Sequence, residues 1–460
     1  MRKADRPRRI IGFDEIRFLF KALVRLGCPM TKPGFDETWK NMDTLNVQIR
    51  VILIAAEFAS ATWNGEGLRK ALEEGVKMST KLVMTIIAAV LVSSSPGVLA
   101  SSNEFVAHEW GTFTSISASN GVTVEWTSYR GGAELPQFVY GSKINATGTV
   151  RMETPVIYFY SPRELTCKVK VSFPLGQITE YYPMISQYDM GQAQWDEVEL
   201  LPGRAVNLPL EKAANHYYEA RATESVPLGV WKGRVIDEYE KFLFYRGVGT
   251  FAMPLSIRVE TDKLAVQSAT PGIGEVILFE KRDGRTSCLR YDLKSSVGMV
   301  NRFLPDCSVA SLKSDLEVLL ATHGLYPKEA AAMVNTWEDS WFEEGFRLFY
   351  VLPRQQTDAI LPLEITPKPD KLVRVLVGRM EIMTPETEQE ILELLTRLKK
   401  VPGNQTAELF GARQRYGRFL PAMVRRILET HPSIWEPPLE SALTSLGLPR
   451  WEVKLVQASR

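Results

Sequence analysis

The residues best suited to chemistry in this chain form an adjacent pair, His108 and Glu109. A histidine can exchange a proton near neutral pH or bind a metal, and a carboxylate can assist it. The pair is not part of a His-Glu-x-x-His motif. On a regular strand His108 is expected to share a face with Trp110 and Thr112, while Glu109 points away. Only a β-bulge, which Gly111 permits, would bring both side chains into one site.

A second candidate lies in the segment 216–221, His-Tyr-Tyr-Glu-Ala-Arg, which we predict to be a strand. Alternation would place His216 and Tyr218 on one face and Tyr217, Glu219 and Arg221 on the other. A polar, aromatic face of this kind could hold a ligand. A solvated sheet face with cross-strand ion pairs is the more common outcome.

A metal site in this region would need both histidines and a carboxylate. His108 and His216 are the histidines of the β-rich region, and Glu109 or Glu153 could complete the set. Catalytic zinc uses such mixed ligands. The sequence alone does not show that these residues meet, so the cofactor is left unknown.

Two pairs on a predicted helix have alternative interpretations. Trp337 and Trp341 are four residues apart and could stack on sugar rings, but a stripe at that spacing is usually core. Asp339 and Glu343 have the same spacing and could be paired catalytic carboxylates. A solvated acidic face is the simpler interpretation. No nucleophile elbow, P-loop or dinucleotide fingerprint accompanies them, and the short Gly-x-Gly strings at 247–249 and 272–274 are read as turns.

The elements that must position these residues change character along the chain. Short apolar or alternating runs between 105 and 290 are separated by Gly, Pro, Asn and Asp clusters, which predicts an antiparallel β-sandwich or distorted barrel. The predicted strands are Phe105–Ile116, Val122–Trp126, Pro155–Tyr160, Lys168–Phe173, Ile178–Tyr182, His216–Ala222, Lys241–Arg246, Leu255–Glu260 and Glu275–Lys281. The fold class is therefore α+β, with a smaller α+β or helical part after the β-rich part.

Helical spacing begins after residue 300. We predict helices over Ser311–His323, ending at Gly324, over Lys328–Glu344, opened by Pro327, from Thr384 to Lys400, and over Thr406–Thr430. Two strands, Arg347–Leu352 and Val373–Met383, are expected between them. The pattern predicts an all-β domain over 101–300 and an α+β domain over 301–460.

The first hundred residues have a different character. Lys81, the apolar run Leu82–Val92 and the segment ending Val98-Leu-Ala100 have the three parts of a secretory signal peptide. The apolar run is well short of the roughly 20 residues that span a bilayer. We therefore predict a signal peptide over 78–100, a mature chain that starts at Ser101, and a mis-annotated leader over 1–77. The rival interpretation is a genuine extension with a retained signal anchor.

Composition limits the partners. Residues 101–460 hold 40 Lys and Arg against 44 Asp and Glu, and no basic stripe is interleaved with aromatic residues. Nucleic acid is therefore not an expected partner. No stable membrane span is expected in the mature form. A small molecule, a glycan or an envelope partner remains open.

Cysteine use is sparse. Outside the first hundred residues the chain has Cys167, Cys288 and Cys307, with no CxxC motif. In an oxidising compartment one disulfide and one leftover thiol are expected. Cys288 and Cys307 are close in sequence and flank a turn region, so we predict that they pair and that Cys167 is a buried free thiol.

Several segments are unusual enough to compare with known families. They are His108-Glu-Trp-Gly-Thr-Phe-Thr-Ser, Met152-Glu-Thr-Pro-Val-Ile-Tyr-Phe-Tyr, Glu240-Lys-Phe-Leu-Phe-Tyr-Arg-Gly, Ser340-Trp-Phe-Glu-Glu-Gly and Arg374-Val-Leu-Val-Gly-Arg-Met-Glu. The chain resembles a family of uncharacterised bacterial exported proteins that carry the same His-Glu-Trp-Gly-Thr-Phe-Thr string just after the signal peptide. The resemblance implies a start at Met78 and export to the periplasm or the exterior. It implies no activity.

Two functions are therefore carried forward. The first is an exported protein that binds a ligand, a glycan or an envelope partner without catalysis. The alternative is an exported hydrolase, with or without a metal ion, that uses His108, Glu109 and His216. The two hypotheses differ in geometry, because the hydrolase requires these three side chains to converge in one pocket.

Overall fold

The structure is a computed structural model that describes residues 104–127, 135–141, 147–213, 215–232, 235–400, 406–435 and 439. The predicted leader over 1–77, the signal peptide over 78–100 and its cleavage site lie outside the described residues. They remain predictions.

The described residues form twenty strands, named β1 to β20 in chain order. Their bounds are Val106–Ser117, Trp126–Thr127, Tyr140–Gly141, Thr147–Gly148, Val150–Tyr160, Leu165–Ser172, Gly176–Tyr182, Gln187–Asp189, Gln192–Leu200, Leu228–Lys232, Val235–Glu240, Leu243–Gly249, Leu255–Val259, Lys263–Ser268, Glu275–Arg282, Arg285–Asp292, Val297–Asn301, Gly345–Val351, Leu363–Thr366 and Lys371–Ile382.

Among the described residues after position 300 there are seven α-helices, named α1 to α7. They are Val309–Thr322, Pro327–Thr336, Glu338–Trp341, Arg354–Ile360, Pro385–Lys400, Thr406–Tyr416 and Leu420–Thr430. Three 3-10 helices, η1 to η3, are His216–Arg221, Gly417–Phe419 and Pro432–Ile434. The prediction of a β-rich fold with helices towards the C-terminal end is confirmed. None of the helices among the described residues is long and apolar enough to cross a membrane.

The main sheet has nine strands in the order β16-β15-β18-β20-β1-β5-β12-β7-β3. A second sheet has the order β11-β10-β9-β6-β19, with β8 also paired to β9, and β13-β14-β17 form a third. The central strand β1 pairs with β20 in parallel and with β5 antiparallel. Because both faces of the main sheet are covered, all twelve residues of β1 are buried.

Two apolar layers flank the main sheet. Side chains such as Phe113, Ile157, Val169 and Trp195 fill the space between the main sheet and the two smaller sheets. On the other face, the sheet packs against helices through residues such as Trp110, Val156, Leu316, Met333 and Trp341. A further cluster joins the end of β1 to α5 and α7. We refer to these two sides of the main sheet as the sandwich face and the helix face.

The expected boundary near residue 300 is wrong. Strands β18 and β20 come from the C-terminal part, yet they lie between β15 and β1 in the main sheet. Pairing with β20 supplies β1 with one of its two neighbours, so residues on both sides of position 300 build one sheet. Helical spacing after residue 309 does not mark a new unit, because strands from this part of the chain pair within the main sheet.

Local signals placed several helices correctly and failed at their interruptions. The Ser308 side chain accepts from the Ser311 amide at the start of α1, and Gly324 follows its end with φ of +108°. The predicted helix 328–344 is instead divided at Trp337 into α2 and α3. The predicted helix 406–430 is likewise divided at η2, where Gly417 has φ of +52°. The predicted strand His216–Ala222 is instead the 3-10 helix His216–Arg221, because the Asn215 side chain caps its first turn.

The disulfide prediction is confirmed. Cys288 on β16 is bonded to Cys307, with 5.7 Å between their Cα atoms, and Cys167 is a buried free thiol. The bond joins the edge strand of the main sheet to the segment that leads into α1. Backbone hydrogen bonds from the Cys288 amide to Pro305 and from the Cys307 amide to Thr286 align the same two segments.

Candidate functional site

Strand β1 presents two different sets of side chains to its two faces. His108 and Trp110 lie on the helix face, and Glu109 lies on the sandwich face, as alternation predicted. The pairing with β5 is irregular between Trp110 and Thr112, so a bulge does occur beside Gly111. It follows the His108–Glu109 pair and does not bring the two side chains together.

The irregularity explains why a glycine is needed at 111. An added Cβ there would lie 2.9 Å from the Pro155 Cα atom and 2.9 Å from the Leu376 side chain. The bulged residues are on β5, where Thr154 has a positive φ of 47°. Close approach of three strands, rather than chemistry, therefore accounts for this part of the motif.

His108 is fully buried and bonded to a carboxylate on α2. Its Nδ1 atom lies 2.7 Å from Glu329 Oε2, and its ring packs against Tyr326 and Tyr160. Glu329 also accepts from the Tyr160 hydroxyl and from the Tyr326 amide, both at 2.7 Å. The carboxylate thus joins the start of α2 to β1. An acidic partner would suit a functional histidine, but full burial leaves the pair without an opening to solvent.

Glu109 has a separate set of partners on the sandwich face. It accepts from the Tyr245 hydroxyl at 2.5 Å and from Arg374 Nε at 2.5 Å. Arg374 also donates to Asp358 at 2.8 Å. Burial and the neighbouring Glu109 carboxylate together raise the pKa of the Tyr245 hydroxyl well above its usual value. The phenol therefore stays protonated and donates to the carboxylate.

Glu153, the carboxylate proposed for a metal, is instead bonded to arginine. It accepts from Arg418 at 2.5 and 3.2 Å and from the Thr114 hydroxyl at 2.5 Å. Burial by itself would raise its pKa, but Arg418, Arg151, Thr114 and Arg379 outweigh burial and lower the pKa to about 2. This carboxylate therefore pairs with arginines of the protein itself rather than with a metal ion.

His216 is half-buried at the start of η1 and has a third set of partners. Its Nδ1 atom lies 3.7 Å from Asp339, and its ring packs on Trp337 at 5.7 Å. The candidates His108, Glu109 and His216 therefore do not share a partner. Within the described ranges, no group of three His, Cys, Asp or Glu side chains could hold a metal.

The interpretations of the helical pairs are partly confirmed. Trp337 and Trp341 are buried, at 4% and 0% exposure, so they are core residues and not a sugar platform. Asp339 is exposed as expected. Glu343 differs from the prediction of a solvated face, because it is bonded to the buried Arg379 and burial raises its pKa.

An aromatic surface lies at the β3 edge of the main sheet and was not among the sites predicted from the sequence. We call it the tyrosine row and define it by Tyr188, Tyr181, Tyr140, Tyr182, Phe138 and Tyr217. Consecutive ring centres along it are 5.9, 5.8, 6.3, 4.8 and 5.6 Å apart. Tyr188 at one end is 42% exposed, whereas Tyr217 at the other end is fully buried. The row therefore runs from solvent into the core.

Carboxylates accompany the tyrosine row on its polar side. Glu238 accepts from the Tyr140 hydroxyl at 2.5 Å and from the Met184 amide at 2.5 Å. The buried Glu240 accepts from the Tyr217 hydroxyl at 3.1 Å and from two nitrogens of Arg221, at 2.9 and 2.6 Å. These contacts fix the orientation of the rings at the inner end of the row.

Part of this surface was visible in the sequence. The polar aromatic segment that includes Tyr217 and Tyr218 was singled out as able to hold a ligand, and Tyr217 belongs to the row. The adjacent Tyr181 and Tyr182 were an overlooked signal. The sequence did not relate them to Tyr217, because they lie on β7 and Tyr217 lies on η1, and only the folded chain brings these rings together at the sheet edge.

Comparisons with known proteins add little to this geometry. No family model matches the chain, and no curated protein matches it. Among solved structures, two of a yeast delta-COP-I mu-homology domain, one complexed with a Dsl1 WxWxV peptide, are 8% identical. They cover 61% of this chain and 96% of their own, with TM-scores of 0.24 and 0.20. Scores of this size support no shared fold or function.

Proposed function

We propose that this chain is an exported protein that binds a glycan at the tyrosine row and performs no catalysis of its own. The observation that carries the proposal is the row itself, which begins at the exposed ring of Tyr188 and continues through Tyr181 and Tyr140. Tyrosine offers a large apolar ring and a polar hydroxyl at low cost in side-chain entropy, which suits surfaces that are apolar at one end and wet at the other.

The chemistry of the row fits a sugar better than a purely apolar ligand. Ring faces can pack on the apolar face of a pyranose, and the neighbouring Glu238 carboxylate and tyrosine hydroxyls can exchange hydrogen bonds with its hydroxyl groups. The inner contacts with Glu240 hold the row in place before a ligand arrives. Preorganisation of this kind reduces the entropy lost on binding.

The hydrolase alternative lacks a comparable observation. It needs His108, Glu109 and His216 in one site, whereas these residues bind Glu329, Arg374 and Asp339 respectively. The geometry therefore does not favour the hydrolase.

Export is proposed on two independent grounds. The segment Met78–Ala100 has the pattern of a signal peptide, and the Cys288–Cys307 disulfide suits an oxidising compartment. Expression of the whole chain in a bacterial host, followed by fractionation and N-terminal sequencing, tests the proposal. We expect a periplasmic or secreted product that begins at Ser101. A product that retains residues 1–77 would contradict it.

Glycan binding is tested with a panel of bacterial envelope oligosaccharides, followed by calorimetry on the strongest binder. We expect Tyr188→Ala and Tyr181→Ala each to weaken binding by about tenfold, which corresponds to about 1.4 kcal/mol. Phe410→Ala removes an aromatic ring that is 63% exposed on α6, outside the row, and should bind as the wild type does. The proposal fails if no oligosaccharide binds, or if all three variants bind equally well.

A further inference from the structure

A small cavity lies where the sandwich face of the main sheet meets α5, α6 and α7. The buried part of its lining is apolar and consists of Phe346 on β18, Ile382 at the end of β20 and Met423 on α7. The partly exposed lining is charged and includes Glu280 and Arg282 at the end of β15. The cavity spans about 480 Å³, including the part that is open to solvent, which suits a small molecule rather than a polymer.

The Glu280 carboxylate lies in this cavity without a bonded partner. Glu280 is half-buried, and its side chain makes no hydrogen bond or ion pair with any residue that the structure describes. Burial raises the pKa of Glu280 above the usual 4.5. Glu386 acts in the same direction, and Arg282 and Arg302 oppose it. Arg302 and Glu386 are bonded to each other at 2.6 Å. A positively charged ligand would therefore stabilise the ionised form of Glu280.

Two arginines line the same cavity and share one carboxylate. Arg282 Nη2 donates to Glu390 at 2.6 Å, and Arg415 Nη2 lies 3.2 Å from the same carboxylate. The Tyr416 hydroxyl also donates to Glu390, at 2.5 Å. A further contact of Arg415, with the exposed Asp283, is long at 4.0 Å. Beyond its bond to Glu390, Arg282 has N–H donors that no described residue accepts, so it can also bind an anionic group.

The other polar groups of the lining are bonded within the chain. Glu344 accepts from two backbone amides of the turn between β15 and β16, at 3.0 and 3.2 Å. Glu381 is paired with Arg347 at 3.0 Å. The Thr384 hydroxyl accepts from the Thr387 amide at 3.2 Å. Among the described carboxylates of the lining, the one that remains for a ligand is that of residue 280.

The spacing of Glu280 and Arg282 indicates the size of the ligand. They flank Lys281 on β15 and so point to the sandwich face, where Glu280 is paired with Phe346. Lys281 points the other way and donates to the Phe342 carbonyl at 3.2 Å. Two positions on one face of a strand are roughly 7 Å apart, and these two side chains form no direct ion pair. A molecule with an ammonium and a carboxylate on one carbon can place one charge beside each of them.

The apolar lining favours a hydrocarbon or thioether side chain on that molecule. Phe346, Ile382 and Met423 are 5%, 2% and 2% exposed and offer no hydrogen-bonding side-chain group. A charged or strongly polar side chain would lose its hydration against these residues without compensation. An apolar side chain would bury its own surface there and gain free energy.

We propose that this cavity binds a free α-amino acid with an apolar side chain. Its ammonium group lies beside Glu280, its carboxylate lies beside Arg282, and its side chain packs on Phe346 and Met423. The proposal does not depend on glycan binding, because the cavity lies at β15 and β18, whereas the tyrosine row lies at the opposite, β3 edge of the main sheet.

Calorimetry on the purified wild type tests the ligand class. The probes are L-leucine, L-methionine and L-phenylalanine, followed by the amide and the N-acetyl derivative of the strongest binder. The amide lacks the carboxylate, and the N-acetyl derivative lacks the ammonium group. We expect at least one amino acid to bind at millimolar concentration or below, and each derivative to bind about tenfold more weakly or worse.

Glu280→Gln tests the site, because it removes the charge and keeps the size of the side chain. Binding should weaken about tenfold or more. The affinity of the wild type should also fall as the pH drops through the pKa of Glu280, because the protonated carboxyl no longer attracts the ammonium group. This pH dependence should be absent from Glu280→Gln. Glu275→Gln, on the same strand but outside the cavity, should bind as the wild type does.

The derivatives are measured on the wild type, so they test the proposal even if Glu280→Gln fails to fold. The proposal is overturned if none of the three amino acids binds at millimolar concentration. It is also overturned if a derivative that lacks one charge binds as tightly as its parent, or if folded Glu280→Gln binds as tightly as the wild type.

Discussion

The side chains of His108 and Glu109 lie on opposite faces of the main sheet although the two residues are consecutive on β1. His108 is bonded to Glu329 on α2, and Glu109 is bonded to Arg374 on β20. Through these two residues β1 contacts α2 on the helix face and forms an ion pair with β20 on the sandwich face. The motif that looked catalytic in the sequence is, in the structure, a junction between layers.

Removal of either partner of the His108–Glu329 contact should destabilise the folded protein. Removing one partner leaves the other polar group buried without compensation, so we expect His108→Ala to lower the free energy of unfolding by about 3 kcal/mol. A double-mutant cycle with Glu329→Ala, measured by urea unfolding, should give a coupling energy above about 1 kcal/mol. Lys328→Ala, on the same helix as Glu329, breaks an exposed ion pair with Glu224 from the segment after η1, and should cost less than about 1 kcal/mol. Additive single variants would contradict the prediction.

Glu153 should make stability depend on acid pH. Its pKa in the folded protein is about 2, below the ordinary 4.5 of the unfolded chain. Its contribution is therefore complete above pH 4.5 and is lost as the pH falls towards 2. The stability difference between the wild type and Glu153→Gln should shrink by about 3 kcal/mol over that interval, as seen in unfolding curves at each pH. Glu364→Gln alters an exposed carboxylate and serves as the control. A pH-independent difference for Glu153→Gln would exclude this role.

The Cys288–Cys307 disulfide should stabilise the folded protein by limiting the unfolded chain. For two cysteines 19 residues apart, the chain-entropy model gives about 3 kcal/mol. We expect the double variant Cys288→Ser/Cys307→Ser to lose that amount in chemical unfolding. Cys167→Ser, at the buried free thiol, tests whether loss of any cysteine has this effect. Reducing agent should lower the stability of the wild type and leave the double variant unchanged.

Gly345 should tolerate no side chain. It has φ of +128°, and an added Cβ would collide with Glu381 and lie 2.6 Å from Arg347 Nη2. We expect Gly345→Ala to lower the free energy of unfolding by more than about 2 kcal/mol, through backbone strain and displacement of a buried ion pair. Gly274→Ala is the matched control, because nothing lies within 4 Å of its added Cβ. Equal thermal stability of the two variants would contradict this prediction, because the Arg347–Glu381 ion pair would then have adapted to the added side chain.

Much of the fold was predictable because local signals and tertiary packing agree. The apolar spacing around Leu312 and Leu316, with Gly324 after it, predicted α1 within two residues at its N-terminus and one at its C-terminus. Alternation along β1 correctly assigned His108 and Glu109 to different faces. Two local predictions failed because a single residue changed the course of the chain: Asn215 capped η1, and Gly417 interrupted a helix that the periodicity extended to residue 430.

The amino-acid sequence by itself determined the type of most elements, the side of β1 that each residue faces, and the pairing of Cys288 with Cys307. These features depend on neighbours within a turn, a strand or a short loop. Only the tertiary structure decided that β20 pairs in parallel with β1, which sets Thr114 beside Arg379, and that α2 brings Glu329 to His108 across 221 residues. Periodicity gives the face of a strand but not its neighbour in the sheet, because long-range pairing depends on the joint packing of all layers.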